Sequence, residues 1–319
     1  MHHMENRIPK VSVVIPTRNR PREVRKAISN ALNQTFHDLE VIVVVDGPDP
    51  ATEEVLLTVL DSRLRSIINT ENQGLAESRN IGIRAAHGEW IALLDDDDEW
   101  FPEKIERQFR KAEETGGTHL LIVSRFLEKT AAMKRVWPET LPNGTRQFSE
   151  YLFCRRGMLV PSSYFASRTL LLDIPFTKGL RHVEDLDWLL RATNDPRTNV
   201  AGVPEALVVY NNFAIPGRES LYSTWKILYD WGIANRSLFT PRAFSFYMTK
   251  VVAPRAKEAR ASWRELFHVF SAAVLFGSFN VKSITFFFVS ILFSRDSKRK
   301  IREILSPRAR KSRALANSV

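Results

Sequence analysis

Residues 89–102 read EWIALLDDDDEWFP: an apolar run, four consecutive carboxylates, and a proline placed to start a helix. The apolar part, EWIALLD (89–95), reads as a buried strand, and Pro102 suits the first turn of a helix that stops at Gly116-Gly117. Asp95, Asp96, Asp97 and Asp98 repel one another, so either they form a solvated acidic turn ahead of that helix, or a cation sits among them. On an extended backbone alternate side chains share a face. Asp95 and Asp97 are therefore expected to point one way, as a pair for one hard divalent ion, and Asp96 and Asp98 the other.

The chain on either side supplies the frame. VSVVIP (11–16), LEVIVVVDG (39–47) and SIINT (66–70) read as further strands. Between them lie a helix from Pro21 to about Gln34, with Val24, Ala27, Ile28, Ala31 and Leu32 on one face, and a second over 51–61. A third spans 74–88, with Gly88 as its stop. Near-continuously apolar strands alternating with helices predict an α/β fold, a mostly parallel sheet covered on both faces. Ligands bind such sheets beyond the carboxyl ends of the strands. Thr17-Arg18-Asn19, Asp46 and the Asp95–Asp98 cluster all fall at those ends and are expected to meet on one rim. No GxGxxG or GxxxxGK[ST] loop is present, which disfavours the folds that cradle phosphates with glycine.

Composition narrows the class. The 319 residues are 44% hydrophobic and 26% charged, a globular balance with room for one large domain and an appendage. A single cysteine, Cys154, leaves no internal disulfide framework and suits a reducing compartment. MHHMENRIPK has none of the marks of a secretory leader, so secretion is not expected, and the sequons at Asn33, Asn143 and Asn235 read as accidental. The net charge is +10, and all of the excess lies from Ala253 onward. That distribution fits a neutral body with a basic tail better than a nucleic-acid-binding domain, so no nucleic-acid partner is expected.

VSVVIPTRNR, SNALNQTFHDLEVIVVVDG, NQGLAESRNIGIRAAHGEWIALLDDDDEWFPEKI and HVEDLDWLLR together resemble, in order and spacing, the successive blocks of family 2 glycosyltransferases. The similarity spans roughly residues 10–210 and implies the GT-A fold, a nucleotide-diphosphate sugar donor (UDP, GDP or dTDP type), Mg²⁺ or Mn²⁺, and inverting transfer to a hydroxyl acceptor. Under it, Pro16, Thr17, Arg18 and Asn19 line the nucleotide pocket, Asp46 accepts from an N–H on the base edge, and Arg79 lies near the diphosphate or sugar. Asp95 and Asp96 meet the donor, with Asp97 and Asp95 at the metal. Asp185 of the Glu-Asp motif is the general base, taking the acceptor's proton. Glu184, Asp187, His182 and Trp188 fall on the acceptor side, although the acids also suit the cap of the helix through WLLRA and Trp188 equally suits the core. The family often has two aspartates before the glycine; Val45 stands where the first would be.

The resemblance places a catalytic domain at 1–215 and a helical, basic region at 216–319. Leu266–Phe293 is strongly apolar but interrupted by His268, Gly277, Asn280 and Lys282, and a polybasic stretch follows. Two arrangements fit: helices lying on the anionic inner face of the plasma membrane of a cytoplasmic enzyme, or a hairpin packed on the catalytic domain. Lys282 within the run disfavours a spanning helix. Many members of the family that the chain resembles work on lipid-linked acceptors; by that analogy a lipid-linked glycan is an expected acceptor and the membrane surface is favoured. Two rival readings stay open: a sugar-nucleotide nucleotidyltransferase, disfavoured because a glycine-rich basic loop is missing after VVIP, and a non-catalytic nucleotide-binding scaffold.

Overall fold

The structure, a computed structural model, describes residues 8–130, 134–155, 157–211, 220–278 and 280–293, with the side chains of 220–224 left out. The opening residues and the polybasic segment after Phe293 lie outside the described residues. The chain divides into two compact units, Met1–Arg218 and Glu219–Val319.

In the first unit the chain alternates through β1 (Val11–Thr17), α1 (Pro21–Leu32), β2 (Leu39–Val45), α2 (Pro50–Leu57), β3 (Leu64–Ile68), α3 (Leu75–Ala85) and β4 (Trp90–Leu93). It continues with β5 (Glu99–Trp100), α4 (Lys104–Thr115), β6 (Leu120–Lys129), β7 (Lys134–Trp137), α5 (Phe148–Cys154), β8 (Tyr164–Ser167), α6 (Arg168–Asp173), α7 (Glu184–Asn194) and β9 (Asn199–Asn211). One sheet runs β3-β2-β1-β4-β8-β6-β9-β5, with β7 also paired to β6. The half built from β3, β2, β1 and β4 is parallel, as the sequence pattern requires. Beyond β4 the sheet is mixed: β8 runs antiparallel to β4 and β6, whereas β6 and β9 are parallel. Every residue of β1 and β2 is buried, because helices cover both faces. One face packs Val13, Ile15, Val41 and Val43 against Val24, Ala27, Ile28 and Ala31 of α1 and Ile105 of α4. The other packs Val14, Ile42 and Val44 against Ala76 and Ile83 of α3 and Trp188 of α7.

Two glycines carry the geometry. A Cβ on Gly82 would lie 2.4 Å from Val14 Cγ1, so only glycine lets α3 rest this close to β1. Gly88 is not the stop of α3, which ends at Ala85; a Cβ there would lie 2.7 Å from the Ser12 backbone nitrogen, so Gly88 marks where the chain crosses β1. By contrast, Gly116 and Gly117 have positive φ and do end α4.

The second unit is helical: α8 (Ser220–Ala234), α9 (Pro241–Tyr247) continuing through a wider π turn at Met248–Val252 into α10 (Ala253–Glu258), then α11 (Trp263–Leu275) and α12 (Val281–Leu292). Its interior holds Trp231, Phe239 and Tyr247 in mutual ring contact. A reciprocal Ser262–Glu265 capping box starts α11. No helix among the described residues is long and apolar enough to cross a membrane.

Candidate active site

Strand β4 ends at Leu93, and the next four acids do not continue it. The Asp98 N–H donates to the Asp95 carbonyl at 3.1 Å, closing a turn. This corrects the alternating arrangement expected of an extended chain. Asp96 and Asp97 should then face apart, yet both meet Arg20, whose Nη1 lies 2.8 Å from Asp96 Oδ1 and 3.0 Å from Asp97 Oδ2. Asp96 is buried and also accepts from Thr17 Oγ1 at 2.7 Å. Asp98 turns inward, where Ser162 Oγ donates to it at 2.6 Å and the Asn211 N–H at 3.3 Å. Ser162 Oγ accepts in turn from the Asp95 N–H, so one hydroxyl ties both ends of the turn. Burial raises the Asp98 carboxyl to about 8, with Asp95 and Asp97 adding like-charge repulsion against the opposing Ser162 bond. Burial likewise raises Asp96, to about 6, although Thr17 and Arg20 pull the other way.

Asp95 faces a different cation. Arg79, on the inward side of α3, has no exposed surface, and Gly82 one turn later allows the approach that puts it there. Its Nη2 donates to Asp95 Oδ1 at 2.6 Å and its Nη1 to Asp185 Oδ1 at 2.5 Å. A single guanidinium thus joins the end of β4 to the first turn of α7. Burial opposes the charge on Arg79, but Asp185 and Asp95 outweigh it and hold the guanidinium pKa above its ordinary value. Asp185 is raised to about 7, chiefly by burial, with Glu184 and Asp95 adding repulsion and Arg79 opposing. Its side chain is still 39% exposed. The carboxylate is thus touched by water yet enclosed by protein. One cation, Arg79, faces three neighbouring acids, Asp95, Glu184 and Asp185, so repulsion adds to burial in pushing the Asp185 carboxyl up. Glu184 is buried, and its Oε2 has no hydrogen-bond partner among the described residues.

The nucleotide-side residues gather on the same rim. Asp46 N–H donates to the Thr17 carbonyl, and its carboxylate accepts from Asn69 Nδ2 and from the Gln73 and Gly74 N–H groups at 2.7–3.1 Å. Asp46 therefore holds the loop between β3 and α3. Pro16 is buried within β1, while Arg18 and Asn19 are exposed. Asn19 adopts a left-handed φ of 53°, and its N–H donates to Asp49 Oδ2.

Two acceptor-side expectations change. Trp188 has no exposed surface, donates Nε1–H to the Ile174 carbonyl at 2.7 Å and stacks on Phe176; it belongs to the core. Asp187 is buried and accepts from Thr177 Oγ1 and Arg191 Nε, so it braces α7 rather than facing a cleft. His182 is exposed with φ 68°, next to Glu184 and Asp185. Sequence reasoning missed Arg20, Asn69, Ser162 and Asn211. Arg20 had a signal, since four adjacent acids need a cation and TRNR lies at the same rim; the other three had none.

Of the four acids of the turn, Asp95 and Asp97, 23% and 34% exposed, keep surface that could be offered to an ion, whereas Asp96 and Asp98 are buried. Among the described residues no group of three or more His, Cys, Asp or Glu forms a closed metal site. Asp95 and Asp97 are each paired with an arginine, yet carboxylate oxygens are the donors that Mg²⁺ or Mn²⁺ takes, with water and substrate phosphate oxygens completing the shell, so the donor type fits such an ion. Two guanidinium charges, Arg20 and Arg79, face Asp95, Asp96, Asp97, Glu184 and Asp185, and the imbalance favours an added cation.

Residues 12–167 match the family model described as Glycosyl transferase family 2. An uncharacterized glycosyltransferase of Methanocaldococcus jannaschii, MJ1057, is 29% identical over 225 residues, covering 68% of this chain and 75% of that protein. The succinoglycan biosynthesis protein ExoO of Rhizobium meliloti is 36% identical over 111 residues, 35% of this chain and 32% of that one. Among solved structures, S. aureus TarS in complex with UDP-GlcNAc aligns with a TM-score of 0.55 at 19% identity, covering 88% of this chain and 79% of TarS 1–349. At that identity the likeness speaks for the fold alone.

Proposed function

Because the chain belongs to glycosyl transferase family 2, we propose that it moves a sugar from a nucleotide-diphosphate donor to a hydroxyl acceptor, with inversion at the anomeric carbon and with Mg²⁺ or Mn²⁺. One observation carries the reading: the Arg79 guanidinium spans from Asp95, at the end of β4, to Asp185, at the start of α7. Inverting transfer needs a leaving-group side and a proton acceptor facing each other across one cleft, and these two acids supply such a pair. Asp185 removes the acceptor hydroxyl's proton as its oxygen attacks. A carboxylate raised to about 7 by burial is matched to that task near neutral pH. Asp95 and Asp97 would hold the ion, which when bound supplies charge neutralisation at the departing diphosphate. Arg79 holds Asp95 and Asp185 in mutual register, and Arg20 does the same for Asp96 and Asp97. Asp46, fixed in orientation by its loop contacts, faces the base.

The UDP and UDP-GlcNAc complexes of TarS support a nucleotide-sugar donor and make UDP-sugars the first to test. The name of ExoO, a succinoglycan biosynthesis protein, supports an acceptor in polysaccharide synthesis. A lipid-linked acceptor and a setting at the cytoplasmic face of the plasma membrane belong to the same proposal. The test is nucleotide-diphosphate release from UDP-, GDP- and dTDP-sugars with and without Mn²⁺. Release of UDP, GDP or dTDP that depends on Mn²⁺ supports transfer. Pyrophosphate formation from a sugar phosphate and a nucleoside triphosphate would assign a nucleotidyltransferase, and no turnover with tight binding a scaffold.

A further inference from the structure

Helix α12 is apolar on both its sides. The side it buries carries Phe287 and Ile291 with Ser283 and Ser290, whereas Val281, Phe288 and Leu292 are exposed, with Phe293 after its end. Leu292 is 67% exposed and Val281 73%. Val281, Phe288 and Leu292 are spaced 7 and 4 apart and so form one stripe along the helix. Helix α11 likewise buries apolar residues, Leu266, Val269, Ala272 and Ala273, and still leaves Trp263 71% and Phe267 63% exposed. Phe270 of α11 is in ring contact with Phe287 and Phe288 of α12, so the two helices meet through apolar side chains at this face. A helix that buries Phe287 and Ile291 and still exposes Val281, Phe288 and Leu292 is arranged for an apolar environment outside it.

The charge beside this face says what that environment is. Lys282 and Arg264 are exposed on the same two helices. The chain after Phe293 carries nine Lys/Arg against two Asp/Glu in its 26 residues. An apolar face flanked by cations fits an anionic lipid surface, whose headgroups attract the cations while the aromatic side chains enter the headgroup–acyl boundary. We propose that the exposed face of α11 and α12, led by Trp263, Phe267, Phe288 and Leu292, docks the protein shallowly on an anionic bilayer. This names the surface for the membrane setting proposed above and stands apart from the transfer chemistry.

The test is co-sedimentation of the full chain with phosphatidylcholine vesicles, with and without phosphatidylglycerol, at low and high salt. Binding is expected to the phosphatidylglycerol vesicles, and to weaken as salt rises. Phe288→Ser/Leu292→Ser should weaken it at least about tenfold, since each side chain withdraws apolar area worth ~1 kcal/mol or more. Phe288→Ser also gives up the ring contacts with Phe270 and Phe287, so this variant is expected to melt somewhat lower and is assayed well below its melting temperature. Trp263→Ser/Phe267→Ser repeats the test on the other helix at more exposed positions, where the melting temperature should stay unchanged. Failure of the full chain to pellet, or equal pelleting of both variants, overturns the proposal. So does a wild-type dimer that both variants make monomeric without loss of vesicle binding, which would assign the face to a second copy. Mn²⁺-dependent nucleotide release is measured without vesicles, so its success or failure leaves this outcome untouched.

Discussion

Replacing Arg79 by methionine keeps an unbranched apolar stem out to about the position of Nε and removes the cation between Asp95 and Asp185. The pair with Asp95, 23% exposed, is largely desolvated, and stripping its partner costs ~3 kcal/mol, the low end for a buried pair. Asp185 is 39% exposed, so its share is discounted to ~1 kcal/mol. Against these, the change removes the buried and unpartnered Arg79 Nε, worth ~1 kcal/mol or more. The net loss is about 2–3 kcal/mol, or roughly 4–12 °C of melting temperature for a domain of this size. The pH dependence sharpens the expectation. Arg79 favours the ionised form of Asp185, so this part of its contribution is present above about 7 and is lost as pH falls through that value. The melting gap between wild type and variant should therefore be widest in mild alkali and narrow below neutrality. In the rate profile, turnover rises as Asp185 loses its proton near 7, and the variant's rising limb should move to higher pH. Calorimetry and nucleotide release across the same buffers measure both. An unchanged melting temperature, or a gap that ignores pH, would refute the hub assigned to Arg79.

Asp185→Asn should preserve nucleotide affinity by calorimetry while transfer drops ~10²–10⁴-fold; a drop of only about twofold removes Asp185 as the base. Asp97→Asn should abolish the Mn²⁺ dependence of UDP binding together with turnover, and retained Mn²⁺ dependence moves the ion elsewhere. Asp96, Asp185 and Asp98 have folded pKa values raised to about 6, 7 and 8, mainly by burial, so the folded state holds protons that the unfolded chain releases near 4. Their contribution to stability is full below pH 4 and declines as pH climbs through 8, and the thermal shift given by Mn²⁺ with UDP should grow over the same range; a shift that shrinks with rising pH contradicts carboxylate ligation. Trp188→Phe loses the bond to the Ile174 carbonyl, worth ~1 kcal/mol, and should lower the melting temperature with the acceptor KM unchanged. A raised KM would return Trp188 to the acceptor side.

The parallel half of the sheet was legible because β1, β2 and β4 are buried on both faces and read as uninterrupted apolar runs. Their carboxyl ends follow from the same pattern, so Thr17, Asp46 and the Asp95–Asp98 turn could be placed on one rim in advance. The mixed half was legible only in part: THLLIVSRF (118–126) reads as a strand and falls on β6, but its partners do not show. β9 carries Gly202, Pro204 and Glu205 and has a register irregularity against β6, so it lacks the alternation that identifies a strand. Trp188 and Asp187 show a related limit. Sequence spacing says which residues share a helix turn with Asp185, but which side of that turn meets solvent is decided by Phe176, Ile174 and Thr177, from a segment with no periodic signal of its own.

Four adjacent acids are tolerable because the turn sends each to a different neighbour. Arg79 takes Asp95. Arg20 takes Asp96 and Asp97. Ser162 and the Asn211 backbone take Asp98, whose raised pKa keeps it largely protonated at neutral pH. Had the acids continued the strand, Asp96 and Asp97 would have faced apart and could not have shared one guanidinium. The turn lets two arginines offset most of the repulsion in the protein alone and still leaves a negative excess on the cleft side. A site neutralised completely by its own side chains would have little electrostatic reason to take up Mg²⁺ or Mn²⁺ with a diphosphate, and one with no arginines would be strained without the ion. The intermediate balance explains why both Arg20 and Arg79 sit where a reading of the acids alone would have put only metal.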